Sequence, residues 1–212
     1  MLYNCLKYME FKMDIKEIVL WIFLFFSVGV NIFYLVNIYK ESYRKTFEDP
    51  LTKLRNRKFL EEIKKMVVIG KDHYDVIFCD IDHFKRVNDT YGHDVGDIVL
   101  EIVGKKLKSS FKDSKDFIVR YGGEEFIIFL RNETETVNDK YKNAIFSRID
   151  NLRKEIEDKT VHIKDDQIKF TMSFGICFFD KDIYFDDQIK KADESLYNSK
   201  NTGRNKITIF QK

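Results

Sequence analysis

The stretch Phe117-Ile118-Val119-Arg120-Tyr121-Gly122-Gly123-Glu124-Glu125-Phe126-Ile127-Ile128-Phe129-Leu130 reads as two short apolar strands, Phe117–Tyr121 and Phe126–Leu130, joined by a tight turn. The two glycines accept positive φ without steric cost, so the connection is a hairpin. Its tip carries two adjacent acids, Glu124 and Glu125. A second acidic turn lies upstream, where the buried apolar strand Tyr74–Ile81 runs out through Cys79-Asp80-Ile81-Asp82. The period of two aims Asp80 and Asp82 to one side. Laid side by side, the two strands would gather up to four carboxylates at one edge of a sheet. Anions that close repel unless a cation joins them, and hard oxygens suit Mg²⁺ or Mn²⁺ bridging carboxylates and phosphates. Either motif alone is as well explained by solvated turn residues, and spacing by itself leaves both explanations open.

Around these turns the pattern alternates. Asn56–Ile69 carries Phe59, Leu60, Ile63, Met66 and Val67 at helical spacing, and a second helix opens at Gly96 and runs through Val99, Val103 and Leu107. A long helix over Val137–Glu157, strands at Val161–Lys164 and Ile168–Phe178, a helix at Asp186–Asn201 and a last strand at Lys206–Phe210 complete the chain. The fold class expected is α+β, with one mainly antiparallel central sheet flanked by helices.

The N-terminal part is of another kind. Ile18–Val36 is a 19-residue run without a formal charge, which as a helix spans roughly 28 Å, close to the hydrocarbon thickness of a bilayer. The run is longer than the apolar core of a signal peptide and no A-x-A site follows it. Nothing comparably apolar recurs in the chain for it to pack against as a core helix. We therefore expect a transmembrane helix at 18–36 after a short N-terminal segment, 1–17. Lys7, Lys12 and Lys16 precede it, whereas Lys40, Arg44, Lys45, Lys53, Arg55, Arg57 and Lys58 follow. The positive-inside rule then places a single-pass protein in the inner, cytoplasmic membrane with its C-terminal domain in the cytoplasm. Residues 37–48 continue as a helical stalk, with Ile32, Val36, Tyr39, Tyr43 and Thr46 spaced 4-3-4-3; two heptads leave a plain stalk and a dimerising one equally open. Pro50, the only proline, disfavours helix at Asp49 and opens a domain over 49–212.

Composition narrows the function. The 212 residues carry 37 Lys and Arg against 35 Asp and Glu, a net charge of +2, which gives no support to binding of long nucleic acids. Three cysteines, Cys5, Cys79 and Cys177, lack CxxC spacing and argue against a disulfide framework or structural zinc. His73, His83, His93 and His162 are scattered, so His93 is assigned a structural or substrate-contacting role.

Between the acidic turns lies His83-Phe84-Lys85-Arg86-Val87-Asn88-Asp89. A helix start there would offer backbone N–H groups, and Lys85 and Arg86 add positive charge, the elements of a phosphate cradle; the same residues also fit an ordinary amphipathic turn. Asn88 offers donor and acceptor and Asp97 acceptors only, a pair suited to reading a guanine edge, with Gly92–Asp97 as the tight turn between them. Lys200, Arg204 and Lys206 form either a solvated basic tail or a phosphate contact.

Together these segments resemble the GGDEF family of diguanylate cyclases, in the variant with Glu third. Arg120–Phe126 matches the family signature and Asp49-Pro50-Leu51-Thr52-Lys53-Leu54-Arg55-Asn56-Arg57 its opening motif. Asp80–Asp97 resembles DxDxFKxxNDxxGHxxGD, and Ala192-Asp193-Glu194-Ser195-Leu196-Tyr197 with Lys200–Asn205 resembles the closing segment. The resemblance covers Glu48 to Phe210 with all four motifs in order. It implies a domain similar to adenylyl cyclase and polymerase palms that condenses two GTP into cyclic di-GMP and two pyrophosphates.

By the same resemblance, Asp80, the backbone of Ile81, Glu124 and Glu125 would hold one or two Mg²⁺ per GTP. Glu124 would accept the ribose 3′-hydroxyl proton and Lys85 would stabilise charge at the α-phosphate. Phe84, Asn88, His93 and Asp97 would contact the nucleotide, and Lys200 and Arg204 the terminal phosphates. Each domain would bind one GTP, so catalysis requires a twofold homodimer, which the membrane helix favours by concentrating partners and the stalk gates by small rotations. The product-inhibition motif RxxD is broken: Asp113 stands where the family has arginine, with Asp116 retained, so inhibition by that route is not expected. The alternative is a catalytically silent nucleotide-binding scaffold or receptor at the membrane.

Overall fold

The computed structural model describes residues 14–70, 72–111, 113, 115–132, 137–163 and 166–212; Cys5, Lys7, Lys12, Ser114 and Lys164 lie outside them. Two compact units are present, one ending at Thr46 and one from Phe47 to Lys212.

The described residues of the first unit lie in one helix, α1 (Ile15–Phe47), with none of its residues buried. Large apolar side chains cover it, Phe25, Phe26 and Phe33 among them, and among the described residues it is the one helix long and apolar enough to cross a membrane. The span and the stalk read separately in sequence are one uninterrupted helix. It stops where Pro50 requires, before a tight segment in which Asp49 N–H donates to Leu54 O at 2.8 Å and Lys53 takes φ 58°.

The second unit runs β1 (Arg55–Asn56), a 3₁₀ turn (Arg57–Phe59), α2 (Leu60–Gly70), β2 (His73–Ile81), α3 (Phe84–Tyr91), α4 (His93–Ser110), β3 (Phe117–Arg120) and β4 (Glu125–Asn132). It continues with α5 (Asp139–Glu157), β5 (Thr160–Ile163), β6 (Asp166–Lys169), β7 (Met172–Cys177), α6 (Phe185–Asn201) and β8 (Ile207–Ile209). Six strands form the central sheet in the order β1-β3-β4-β2-β7-β8, antiparallel through the middle and parallel at both edges. The α+β class stands. The expected strand Ile168–Phe178 is divided: β6 pairs with β5 in a separate hairpin, and only β7 enters the main sheet.

β2 and β4 are buried along nearly their whole length because both sheet faces are covered. Phe126, Phe129, Ile77 and Ile128 are fully enclosed, each worth about 1.5–3 kcal/mol of burial. α4 closes one face through Val99, Val103 and Leu107. α6 approaches β7 so closely that a Cβ on Gly175 would lie 2.1 Å from the Ala192 carbonyl oxygen. These contacts hold the C-terminal end of β2 between β4 and β7, which is where the acids lie.

Candidate active site

The register pairs Asp80 with Glu125 across β2–β4 and with Ser173 across β2–β7. Ile81 N–H donates to the Glu124 carbonyl at 3.3 Å, so the hairpin tip is fastened against the end of β2. Tyr121 and Gly122 N–H both donate to Glu125 O, at 2.9 and 3.3 Å, which closes the turn. Arg120 holds the tip from beneath. Its Nε and Nη2 donate to Gly123 O at 3.2 and 2.8 Å, and its Nη1 reaches Asp49 Oδ1 and Oδ2 at 3.1 and 3.3 Å. Asp49 also accepts from Thr52 N–H and Oγ1 at 2.8 and 2.7 Å. Burial would raise its pKa, but the Thr52 and Arg120 donors prevail and hold it below the usual carboxylate range. The Asp49 to Arg120 tie, which fixes the opening motif to the signature hairpin, was not singled out from spacing because 71 residues separate the two.

Asp80 is 3% exposed. Burial pushes its carboxyl up from 3.8 to about 6; Glu124 and Glu125 add to this, while Lys200, with Nζ 2.8 Å from Oδ2, pulls the other way. Burial likewise raises Glu124, with Glu125 adding and Lys200 opposing. Lys200, read from sequence as a phosphate contact, therefore sits on the central carboxylate here. Asp193, not singled out from sequence as a site acid, is raised by burial and by Glu194 against Lys200.

Asp82 departs from the four-carboxylate expectation. Its Oδ1 accepts from Ser173 Oγ at 2.7 Å, and its Oδ2 from Thr171 Oγ1 at 2.7 Å and Asn205 N–H at 3.0 Å. The strand ends at Ile81, so the period of two no longer governs Asp82, and three donors claim its oxygens. Among the described residues no three His, Cys, Asp or Glu side chains gather tightly enough to hold a metal ion as they stand. The donor set of Asp80, Glu124 and Glu125 nonetheless suits a hard divalent cation: oxygen ligands, a buried Asp80 beside two half-buried glutamates, and excess negative charge met by one lysine.

α4 starts at His93 rather than Gly96, so the expected turn over Gly92–Asp97 reduces to Gly92, at φ 87°. Gly92 N–H donates to Asn88 O at 2.9 Å, and a Cβ on Gly96 would lie 1.9 Å from Asn88 Oδ1. Gly96 thus leaves room for the Asn88 amide beside Asp97. His93, Asp97 and Lys85 are exposed. Phe84 is different: its side chain is 5% exposed and belongs to the core, so only its main chain at the start of α3 remains for a ligand. Arg204 lies in a left-handed run, Gly203 φ 120°, Arg204 φ 60° and Asn205 φ 47°, a conformation costing roughly 1–2 kcal/mol at each non-glycine residue. Asp116 is structural, accepting from Arg131 N–H at 3.0 Å and facing Arg148 at 3.9 Å. A cavity of about 860 Å³ at the opposite end of β2, under His73 and Phe178, contains none of these site residues.

The family described as "Diguanylate cyclase, GGDEF domain" matches residues 46–206, about three quarters of the chain. The chain belongs to the GGDEF family. Diguanylate cyclase A of Treponema denticola is 39% identical over 140 residues, 66% of this chain and 36% of that protein. Diguanylate cyclase DosC of Escherichia coli is 34% identical over 170 residues, 77% of this chain and 35% of that one. The chain thus spans about a third of the length of these curated relatives. Among solved structures, the coiled coil and GGDEF domain of DgcB from Caulobacter crescentus, in complex with c-di-GMP, superposes with a TM-score of 0.74 at 25% identity, covering 86% of this chain and 95% of that one. The active GGEEF domain of a diguanylate cyclase from Vibrio cholerae gives 0.63 at 28% identity, covering 75% and 99%.

Proposed function

We propose that this GGDEF protein is a membrane-anchored diguanylate cyclase that joins two GTP into cyclic di-GMP and releases two pyrophosphates. The observation that carries the proposal is the joining of Asp80 to the Glu124-Glu125 tip at the end of β2, with Asp80 raised to about 6 and Lys200 against it. In each half-reaction a ribose 3′-oxygen bonds to the α-phosphorus of the other GTP. The bond from that phosphorus to the bridging oxygen breaks, pyrophosphate departs, and the hydroxyl proton passes to the Glu124 carboxylate. Asp80, the main-chain carbonyl of Ile81, Glu124 and Glu125 would hold one or two Mg²⁺ or Mn²⁺ per GTP. When bound, the cation supplies neutralising charge for the triphosphate.

Lys85 faces the charge that develops at the α-phosphate, while Asn88 and Asp97 read guanine and His93 meets the nucleotide. Phe84 contributes its main chain. Lys200 moves from Asp80 to the terminal phosphates, where Arg204 joins it. Two GTP-loaded domains must face one another, so the working unit is a homodimer. Residues 18–36 serve as the anchor in the cytoplasmic membrane, 37–48 as the stalk and 49–212 as the catalytic domain on the cytoplasmic side.

One incubation tests the proposal: the 212-residue protein in detergent with GTP, ATP and Mg²⁺, followed by mass analysis. Cyclic di-GMP formed from GTP alone is expected. GTP bound but unconsumed by the dimer would overturn the cyclase in favour of a silent receptor.

A further inference from the structure

Asp82 is 4% exposed and lies two residues beyond Asp80, yet its two oxygens accept three hydrogen bonds from donors in two other segments. Two donors are the hydroxyls of Thr171, just before β7, and Ser173, its second residue. The third is the main-chain N–H of Asn205, the last of three consecutive left-handed residues. The other side of the same residue is also held: Asn205 Oδ1 accepts from Arg153 Nη1 at 2.8 Å, and Arg153 is braced by Asp150 and Glu157, each at 2.9 Å. Arg204 stands in the middle of this turn. Its N–H donates to Ser199 O at 3.0 Å, and its guanidinium makes no ion pair with any described residue. A turn built of left-handed residues does not persist unless its surroundings hold it. The surroundings here are an acceptor-only carboxylate on one flank and a braced arginine on the other.

We propose that Asp82 is a positioning residue: through the Asn205 N–H it fixes the turn Gly203–Asn205, so that Arg204 is presented to the triphosphate of GTP. It is not a ligand of the cation. The proposal rests on the reading of Arg204 as a phosphate contact, and it separates two aspartates that the DxD spacing makes look equivalent. Asp80 has a lysine and two glutamates around it. Asp82 has three neutral donors, a shell that leaves a cation no reason to enter.

The test compares Asp82→Ala, Asp82→Asn, Arg204→Ala and the Arg204→Ala/Asp82→Ala pair in the 212-residue chain, reading GTP affinity, kcat, KM and the Mg²⁺ concentration for half-maximal activity. Asp82→Ala is expected to raise KM about tenfold with kcat within threefold, the loss of one charged phosphate contact. Asp82→Asn keeps an oxygen for Asn205 and recovers most of that loss, and the Mg²⁺ midpoint stays unchanged in both. In the Arg204→Ala background Asp82→Ala adds nothing further. Should Asp82→Ala fail to fold, Asp82→Asn decides: a KM and a Mg²⁺ midpoint both within about twofold of wild type support the proposal, and a raised midpoint overturns it.

A raised Mg²⁺ midpoint, a kcat lowered more than tenfold, or penalties that multiply in the pair would overturn the proposal. Binding of a non-hydrolysable GTP analogue gives the coupling without turnover. A protein that binds the analogue but makes no product ends the cyclase reading, and the analogue affinities of the same variants still decide the role of Asp82.

Discussion

Asp80→Asn removes one charge from the centre of the site and keeps its shape, and its effect on stability has a sign opposite to its effect on activity. In the native protein the Asp80 carboxyl is 3% exposed and titrates near 6 instead of 3.8, chiefly through burial, with the Lys200 contact already included. That difference corresponds to about 3 kcal/mol of folding free energy. Because the native pKa lies above the unfolded one, the contribution is fully present below about pH 4 and is lost as pH rises through about 6. At pH 7.5 the native state holds a buried anion at full cost. Asparagine avoids it, so Asp80→Asn is expected to be more stable there by about 2–3 kcal/mol, a rise in the melting temperature of roughly 5–10 °C. At pH 4 the gain shrinks below about 1 kcal/mol. Thermal unfolding of both proteins at the two pH values, followed by circular dichroism in one detergent, measures the difference. Cyclase activity should vanish in the same variant. Equal gains at both pH values, or a loss at pH 7.5, would refute the electrostatic reasoning.

Gly96→Ala puts a Cβ where Asn88 Oδ1 now lies, 1.9 Å away, and displaces that amide; KM for GTP should rise about tenfold with little change in melting temperature, because alanine favours the helix by about 1 kcal/mol. Unchanged GTP kinetics would separate Asn88 from base recognition. Gly175→Ala meets the main chain of α6 at Ala192 O and Leu196 N, 2.1 and 2.2 Å away. Neither atom can yield cheaply, so a loss of about 3 kcal/mol or failure to fold is expected in urea titration. Asp116→Ala removes an acceptor for Arg131 N–H and should cost about 1–2 kcal/mol. It should leave product inhibition where it was; submicromolar inhibition abolished by this change would show that the missing arginine at Asp113 is not needed.

Elements with a strong local signal were legible in the chain. The hairpin between β3 and β4, the stop at Pro50 and the long apolar run of α1 were each readable within a few neighbouring residues, although neither Gly122 nor Gly123 takes the positive φ expected of the turn; a Cβ on Gly122 would instead lie 2.5 Å from Glu125 Oε2. The start of α4 was not, because two glycines four residues apart, Gly92 and Gly96, read as one tight turn with the helix opening at Gly96. The lack of a side chain at Gly96 serves the contact with Asn88 instead, and the helix extends back to His93. The break between β6 and β7 was hidden for a similar reason: residues 168–178 are uniformly strand-like, and only their partners differ.

What the sequence alone determined is the chemistry on offer: acids at two turns, a lysine and arginine near the C-terminus, and an apolar span ahead of the domain. Those are properties of residue type and short-range period. Which acid does what was decided only by the tertiary structure. Asp80 is buried beside Glu124 and Glu125 and raised, whereas Asp82, two residues on, is taken by Thr171, Ser173 and Asn205. Phe84 was drawn into the core and Arg120 onto Asp49 in the same way. A carboxylate's charge state and partners depend on what the fold brings close to it, and for these two aspartates the three hydrogen-bond donors and the lysine come from 89 to 123 residues away.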